Sequence, residues 1–335
     1  MNGRSKIMIS LAVLLVGVAV GTVLTSVLGR AGTSAAGAAD PGLFDDEHIV
    51  FRSLSQGPDQ GRVAYVEPGQ AGRAEARRVA GPRCLRVAAA GRRAVCLRAG
   101  RVPSQPYEVA GLDERLRETG DEALNGVPSR ARVSPDGRHY ATTVFVSGHD
   151  YISLGFSTET VIYETGGKVL GDLEEFAFTI NGKRDESTDR NVWGVTFAAD
   201  SRTFFATVAA SGRTYLTRGD LRARTLTAIQ DNAECPSLSP DQTKIVYKKR
   251  VNDTSQDAWR FHWLDLRTGA ERPLGERRSV DDQVAWLDDE RVMYAVPKTA
   301  GGRTTADVWV APLDGGAPRL LVPDADSPTV VGGLS

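Results

Sequence analysis

The sequence predicts an all-β fold, a six-bladed β-propeller preceded by an N-terminal transmembrane helix. Three observations carry that expectation. Residues 7–28 form one uncharged apolar run, the rest of the chain is a series of short alternating apolar segments, and a polar hairpin motif recurs through those segments.

Ile7 to Leu28 ("IMISLAVLLVGVAVGTVLTSVL") would span roughly 33 Å as a helix at about 1.5 Å per residue, enough to cross a bilayer. Arg4 and Lys6 precede it, and Asp40, Asp45, Asp46 and Glu47 follow. This cation bias places residues 1–6 in the cytoplasm as a short tail and the folded part outside, on a single-pass membrane protein. The span 7–29 reads as a retained signal anchor, because it exceeds the usual ~7–15-residue apolar core of a cleaved signal peptide. Cleavage after Ala36-Gly37-Ala38 is the alternative. Gly17 and Gly21 give a GxxxG spacing that suits close helix pairing, although small residues are common in such helices. Residues 30–45 are small and flexible in composition and read as a linker, which leaves 46–335 as the propeller domain.

Of the 335 residues, 25% are charged and 41% hydrophobic, and the net charge is −1. Neither a nucleic-acid partner nor bulk disorder is expected from that balance. Apolar alternation marks strands at His48–Leu54, Arg62–Val66, Cys84–Ala88, Ala94–Leu97, Thr142–Val146 and Thr160–Tyr163. It continues at Thr203–Val208, Thr214–Thr217, Lys244–Lys248, Trp259–Leu264, Arg291–Val296 and Asp307–Ala311. One segment, Gly111–Thr119, fits a turn or two of helix.

The repeat is seen best in "RVSPDGRHYATTVF" (132–145). Asp136 stands four residues before Tyr140, and the same offset joins Asp59 to Val63, Asp200 to Phe204 and Asp241 to Ile245. Asp289 in "WLDDERVMYA" and Ala90-Gly91 in "RVAAAGRRAVCL" give two further, degenerate copies. Pro, Asp and Gly here are hairpin residues: Pro fixes φ, Asp bonds back to its backbone, and Gly accepts positive φ. The strand after the turn is apolar on both faces ("IVY", "VMY", "FFA"), so it is expected to lie between two layers. Copies at 59, 90, 136, 200, 241 and 289 recur at about the period of four-stranded blades, and six copies suggest six blades.

"SPDGRHYATTVF", "SPDQTKIVYKKR" and "WLDDERVMYAV…DVWVAPLDGG" resemble the WD40-like repeats of TolB-type six-bladed β-propellers, which also form the non-catalytic propeller of prolyl-oligopeptidase-type enzymes. The resemblance runs from about residue 46 onward and is clearest after 130. It implies a protein-binding module of the cell envelope, with the Tol–Pal system as the reference case; the α/β domain that precedes the propeller in that case is not seen here. Closure of such a ring assigns "SPTVV" (Ser327–Val331) to the first blade, beside His48–Leu54.

Cys84 and Cys96 flank a hairpin expected to centre on Ala90. A three-residue loop, Ala89-Ala90-Gly91, would set the two cysteines opposite each other and place Leu85, Val87, Val95 and Leu97 on the other face. A disulfide and a pair of buried thiols both fit, and Cys235 reads as a small buried hydrophobe.

No catalytic, cofactor-binding or metal-ligating residue is nominated. His48, His139, His149 and His262 lack metal-type spacing, and neither a GxSxG elbow nor a phosphate-cradling Gly loop occurs. Asp281, Asp282, Asp288, Asp289 and Glu290 read as turn and connection residues, and Trp193, Trp259, Trp263, Trp286 and Trp309 as blade core. The segments 147–151, 180–191 and 249–259 are charged, variable connections suited to binding. The expected function is a non-enzymatic scaffold that binds an envelope protein or a cell-wall component. The alternative is a metal-dependent propeller hydrolase using channel-facing carboxylates.

Overall fold

A computed structural model describes residues 40–146, 157–252, 257–300 and 302–333. The tail 1–6, the expected anchor 7–29 and linker residues 30–39 lie outside these. No helix among the described residues is long and apolar enough to cross a membrane.

The strands form a six-bladed all-β propeller, each blade a sheet whose strands run from the axis outward. Blade 2 is Arg86–Ala90, Arg93–Val102, Gln105–Leu112 and Glu118–Leu124; blade 3 is Val127–Val133, His139–Val146, Ser157–Glu164 and Val169–Asp172. Blade 4 is Asn191–Phe197, Thr203–Ala210, Arg213–Asp220 and Thr225–Asp231; blade 5 is Glu234–Leu238, Lys244–Arg250, Trp259–Asp265 and Glu271–Pro273. Blade 6 is Ala285–Trp286, Arg291–Ala300, Arg303–Pro312 and Arg319–Val322. Blade 1 joins both ends of the folded chain: Ala325–Val331 is its innermost strand, followed by His48–Ser53, Arg62–Val66 and Arg78–Arg83. The closing pair is antiparallel, with Ile49 opposite Val330 and Arg52 opposite Asp326, as expected for "SPTVV".

The second strand of each blade sends alternate side chains into two different seams, which is why it reads as continuously apolar. In blade 5, Ile245 and Tyr247 pack toward blade 4 with Phe205 and Leu216, whereas Val246 packs toward blade 6 with Val292 and Tyr294. In blade 1, Ile49 and Phe51 meet Met293 and Val308 of blade 6, while Val50 meets Cys96 and Leu112 of blade 2. The folded body begins before Asp46, since Leu43 is fully buried and Phe44 nearly so in that blade 1–blade 2 seam.

Hairpins from innermost to second strand open on one rim of the ring, the turn face. Second-to-third connections and the crossings between blades open on the other, the loop face. On the turn face, Asp136 accepts from the Ser134 hydroxyl at 2.7 Å and the Arg138 amide at 3.0 Å, and Asp241 repeats the network with Ser239 and Thr243. Asp200 accepts from the Arg202 and Thr203 amides. The turns also hold each other. Gly91 and Gly137 pack so closely, both at positive φ, that a Cβ on either would overlap the other's backbone. His139 bonds to Ser201 O, the Ala199 amide donates to Gln242, and the Asp241 amide donates to Asp289.

Several expectations are corrected. In blade 6 the turn carboxylate is Asp288, which accepts from the Glu290 amide, while Asp289 reaches to blade 5. Asp59 lies between the second and third strands of blade 1, on the loop face, so it is no copy of the turn; the equivalent hairpin of blade 1 does not exist, because the chain is cut there. Gly111–Thr119 contains no helix. Asp113 accepts from the Arg115 and Arg117 amides to make a tight turn between two strands, with Leu116 buried at φ 57°.

Cys84 and Cys96 are joined by a disulfide with Cα atoms 5.4 Å apart. The hairpin register differs from expectation: Ala90 faces Arg93 across a two-residue Gly91-Arg92 turn with positive φ at both positions. Cys96 is therefore opposite Val87, and Cys84 reaches it from the crossing between blades 1 and 2, where its amide bonds to Gly61 O. Val87 shares the cysteine face, while Val95 and Leu97 point into the blade 2–blade 3 seam. Closing this short loop is worth about 3 kcal/mol by the chain-entropy relation. The C84S/C96S variant is expected to lose about that much in urea unfolding, read as a lower midpoint at unchanged slope.

Candidate functional site

The innermost strands carry the side chains that face the axis, and four of these strands are irregular. Register shifts interrupt their ladders at Asp326–Thr329, Pro128–Arg130, Trp193–Thr196 and Glu234–Ser237. Such bulges re-aim side chains and free backbone groups. Gln283, from the crossing into blade 6, caps two of the freed carbonyls: its Nε2 donates to Val195 O of blade 4 at 3.1 Å and to Pro236 O of blade 5 at 2.7 Å.

Blade 3 reaches the same segment from across the axis. Arg130 donates to Asp281 O at 3.3 Å and lies 3.8 Å from Asp282 Oδ1, and Arg132 donates to Val284 O at 3.1 Å. The channel is thereby bridged by side chains at residues 281–284. Lys248 pairs with Asp281, and its Nζ lies 4.2 Å from the centroid of the Trp259 ring, with the Arg250 guanidinium at 4.3 Å. Burial raises the Glu234 carboxyl above its ordinary value, against the opposing pull of Lys248.

The acidic residues 281–290 do not form one cluster. Asp281 and Asp282 face the channel, and Asp288 and Asp289 serve the turn face. Among the described residues, no three His, Cys, Asp or Glu side chains are grouped to hold a metal ion. His48 bonds to Leu43 O, His139 to Ser201 O, and His262 lies 3.7 Å from Glu271; His149 lies outside the described residues. Cys235 is buried and its thiol is pushed up by desolvation, as suits an inert core thiol. Trp286 is core, its Nε1 donating to Ser237 O, and Trp193, Trp263 and Trp309 also pack into seams.

Of the three expected binding connections, 147–151 lies outside the described residues and 249–259 is described except for 253–256. In the segment 180–191 only Ile180, Lys183–Arg184 and Asn191 belong to strands, and 185–190 is an irregular connection. Ala177–Ile180 pairs parallel with the outermost strand of blade 4 and turns back through Lys183–Arg184, which covers that blade's edge. The loop face also carries most of the exposed large apolar side chains: Val102, Val127, Phe145 and Val251, of which Val127 and Phe145 are cross-strand neighbours. The sequence reading missed Arg130, Arg132 and Gln283. An Arg-x-Arg alternation inside a strand was the available signal for the first two, because it puts both on one face.

No protein-family model and no curated protein matches the sequence. Among solved structures, the fold is similar to TolB from Acinetobacter baumannii, with TM-score 0.58 and 16% identity over 87% of this chain and 68% of that one. It is also similar to a chain of a nidogen/laminin complex (TM-score 0.50, 11% identity, 85% of this chain and 98% of that one). An oligogalacturonate lyase in complex with manganese is more distant (TM-score 0.47, 12% identity, 76% and 72%). These identities show the fold alone, a β-propeller.

Truncating Gln283 leaves two buried carbonyls unpaired, at about 1–3 kcal/mol each. Q283A is expected to lower unfolding stability by about 2–4 kcal/mol in a denaturant titration, more than the removal of an exposed glutamine such as Gln56 of the blade 1 connection.

Proposed function

We propose that this chain is a non-enzymatic, extracytoplasmic, TolB-like scaffold that binds a protein of the cell envelope through its loop face. The observation that carries this reading is the asymmetry of the two rims. The turn face is occupied by contacts between neighbouring turns, whereas the loop face presents Val102, Val127, Phe145 and Val251 as exposed side chains at strand ends. Exposed apolar groups on one face suit a protein partner.

One further observation supports the reading. The Cys84–Cys96 disulfide suits an oxidising compartment. The axis, meanwhile, is bridged by guanidinium and amide groups, and the channel-side Asp281 and Asp282 are engaged by Lys248 and by the Ala295 amide.

A photo-crosslinking amino acid placed in living cells at Val102, Val127 or Val251 is expected to give a discrete protein adduct. The same probe at Arg138 or Thr268 of the turn face is expected to give none. Equal labelling from both faces, or no discrete adduct together with stabilisation of the purified domain by a divalent cation, would contradict the scaffold reading.

A further inference from the structure

Between blades 1, 2, 3 and 6 the channel holds a cavity of about 40 Å³, lined by Arg86, Arg130, Arg132, Asp282, Ser327 and Thr329 among others. Three guanidiniums from two adjacent innermost strands face this small space. Their partners do not balance them. Asp326 is engaged by Arg52, whose Nε donates to it at 2.8 Å, and Asp281 is engaged by Lys248. Among the described lining residues Asp282 is the carboxylate left; it accepts the Ala295 amide at 3.0 Å and lies 3.8 Å from Arg130, while Asp281, which shares Lys248 with Glu234, and Asp326 act on the arginines at longer range.

Arg86 is half-buried and is not held in an ion pair with a described residue, and the Nε atoms of Arg130 and Arg132 are buried without a partner. Arginine does not escape such a position by losing its proton at neutral pH. Burial, together with Arg130, holds the Arg86 guanidinium below its ordinary value, and burial pushes Arg132 down to about 10, so both stay charged. All three arginines are half-buried, and Arg130 repels both Arg86 and Arg132, so partly desolvated like charges at one small space favour an anion between them.

We propose that this cavity is a carboxylate-binding site in which Arg86, Arg130 and Arg132 hold one carboxylate group, with the Ser327 and Thr329 hydroxyls beside it. The space is small, with room for roughly three water-sized groups at about 10–15 Å³ each, and it is partly open to the channel, so the chemistry of its lining rather than its volume favours a carboxylate. Guanidinium forks match carboxylate geometry in paired hydrogen bonds. Arg86 begins the innermost strand of blade 2, on the loop-face side, so the group can arrive as a free small acid or as the carboxylate of a chain end inserted at the mouth.

The test is thermal unfolding of the purified folded domain at constant ionic strength, titrated with acetate, with inorganic phosphate, and with triglycine against its C-terminal amide. Acetate or triglycine is expected to raise the melting temperature by about 3–6 °C, saturating with concentration. The amide is expected to give no shift. A response to acetate identifies a free acid as sufficient, and a response to triglycine alone identifies the chain end.

R86M removes an unpaired charge without removing a hydrogen bond. It is expected to melt higher than the unaltered domain in carboxylate-free buffer and to lose the ligand response, while R86K retains part of it. The proposal is overturned by shifts that are equal for all salts and unsaturable, by a response to phosphate alone, or by an undiminished carboxylate response in R86M.

Discussion

The ring depends on one pairing, that of Ala325–Val331 with His48–Ser53. Every seam of a propeller is buried only while each blade has a neighbour on both sides, and blade 1 is the one whose strands come from opposite ends of the folded chain. Arg52 and Asp326 mark the junction, 274 positions apart in sequence and joined by a paired salt bridge, and the Leu54 amide donates to Asp324 O just beyond. Loss of the closing strand would open the layers around Val50 on one side and around Ile49 and Phe51 on the other, and would leave an unpaired sheet edge along the channel.

Closure also settles where the two rims differ. With the innermost strand of blade 1 arriving from the C-terminal side, the N-terminal side of the fold meets the ring at the turn face, where Gly332 passes against the Asp46 backbone and Asp45 pairs with Arg92. The turns there are spent on one another. The loop face is left with the irregular crossings, the exposed apolar side chains and the mouth of a channel whose polar groups are held in a cross-axis network. Structural work and surface chemistry are thus divided between the rims, and the proposed partner binding and carboxylate site both fall on the loop-face side.

How much of this was legible follows from what each strand must do. Second and third strands are flanked by two seams, so Lys244–Arg250 and Arg291–Ala300 announce themselves as apolar runs. Outermost strands such as Glu118–Leu124 show only Leu124 buried and carry no apolar pattern at all. Innermost strands are broken by bulges and by side chains that serve the channel, which hid Asn191–Phe197 and Glu234–Leu238 although every residue in both is buried. The turn motif was readable because Asp, Pro and Gly act locally. Its false copy at Asp59 shows the limit: the same local chemistry makes a turn on either rim. The disulfide was one of two readings that proximity along a hairpin allowed, beside a pair of buried thiols, and the register was not legible, because a Gly-Arg turn with two positive φ angles gives little sign of itself in sequence. The channel site was out of reach for a different reason, since Arg86, Arg130, Arg132 and Gln283 meet only through the curvature of the whole ring.

The pairing at the start of this section can be measured amide by amide. If the C-terminal strand closes the ring, the backbone amides of Asp326, Thr329 and Val331, which face the paired strand, exchange with deuterium only through global unfolding, at the same free energy as those of Val246 and Tyr247 in blade 5. Exchange of the C-terminal amides many-fold faster than those core amides, at a rate set by local opening, would contradict closure by this strand and with it the division of the rims that depends on it.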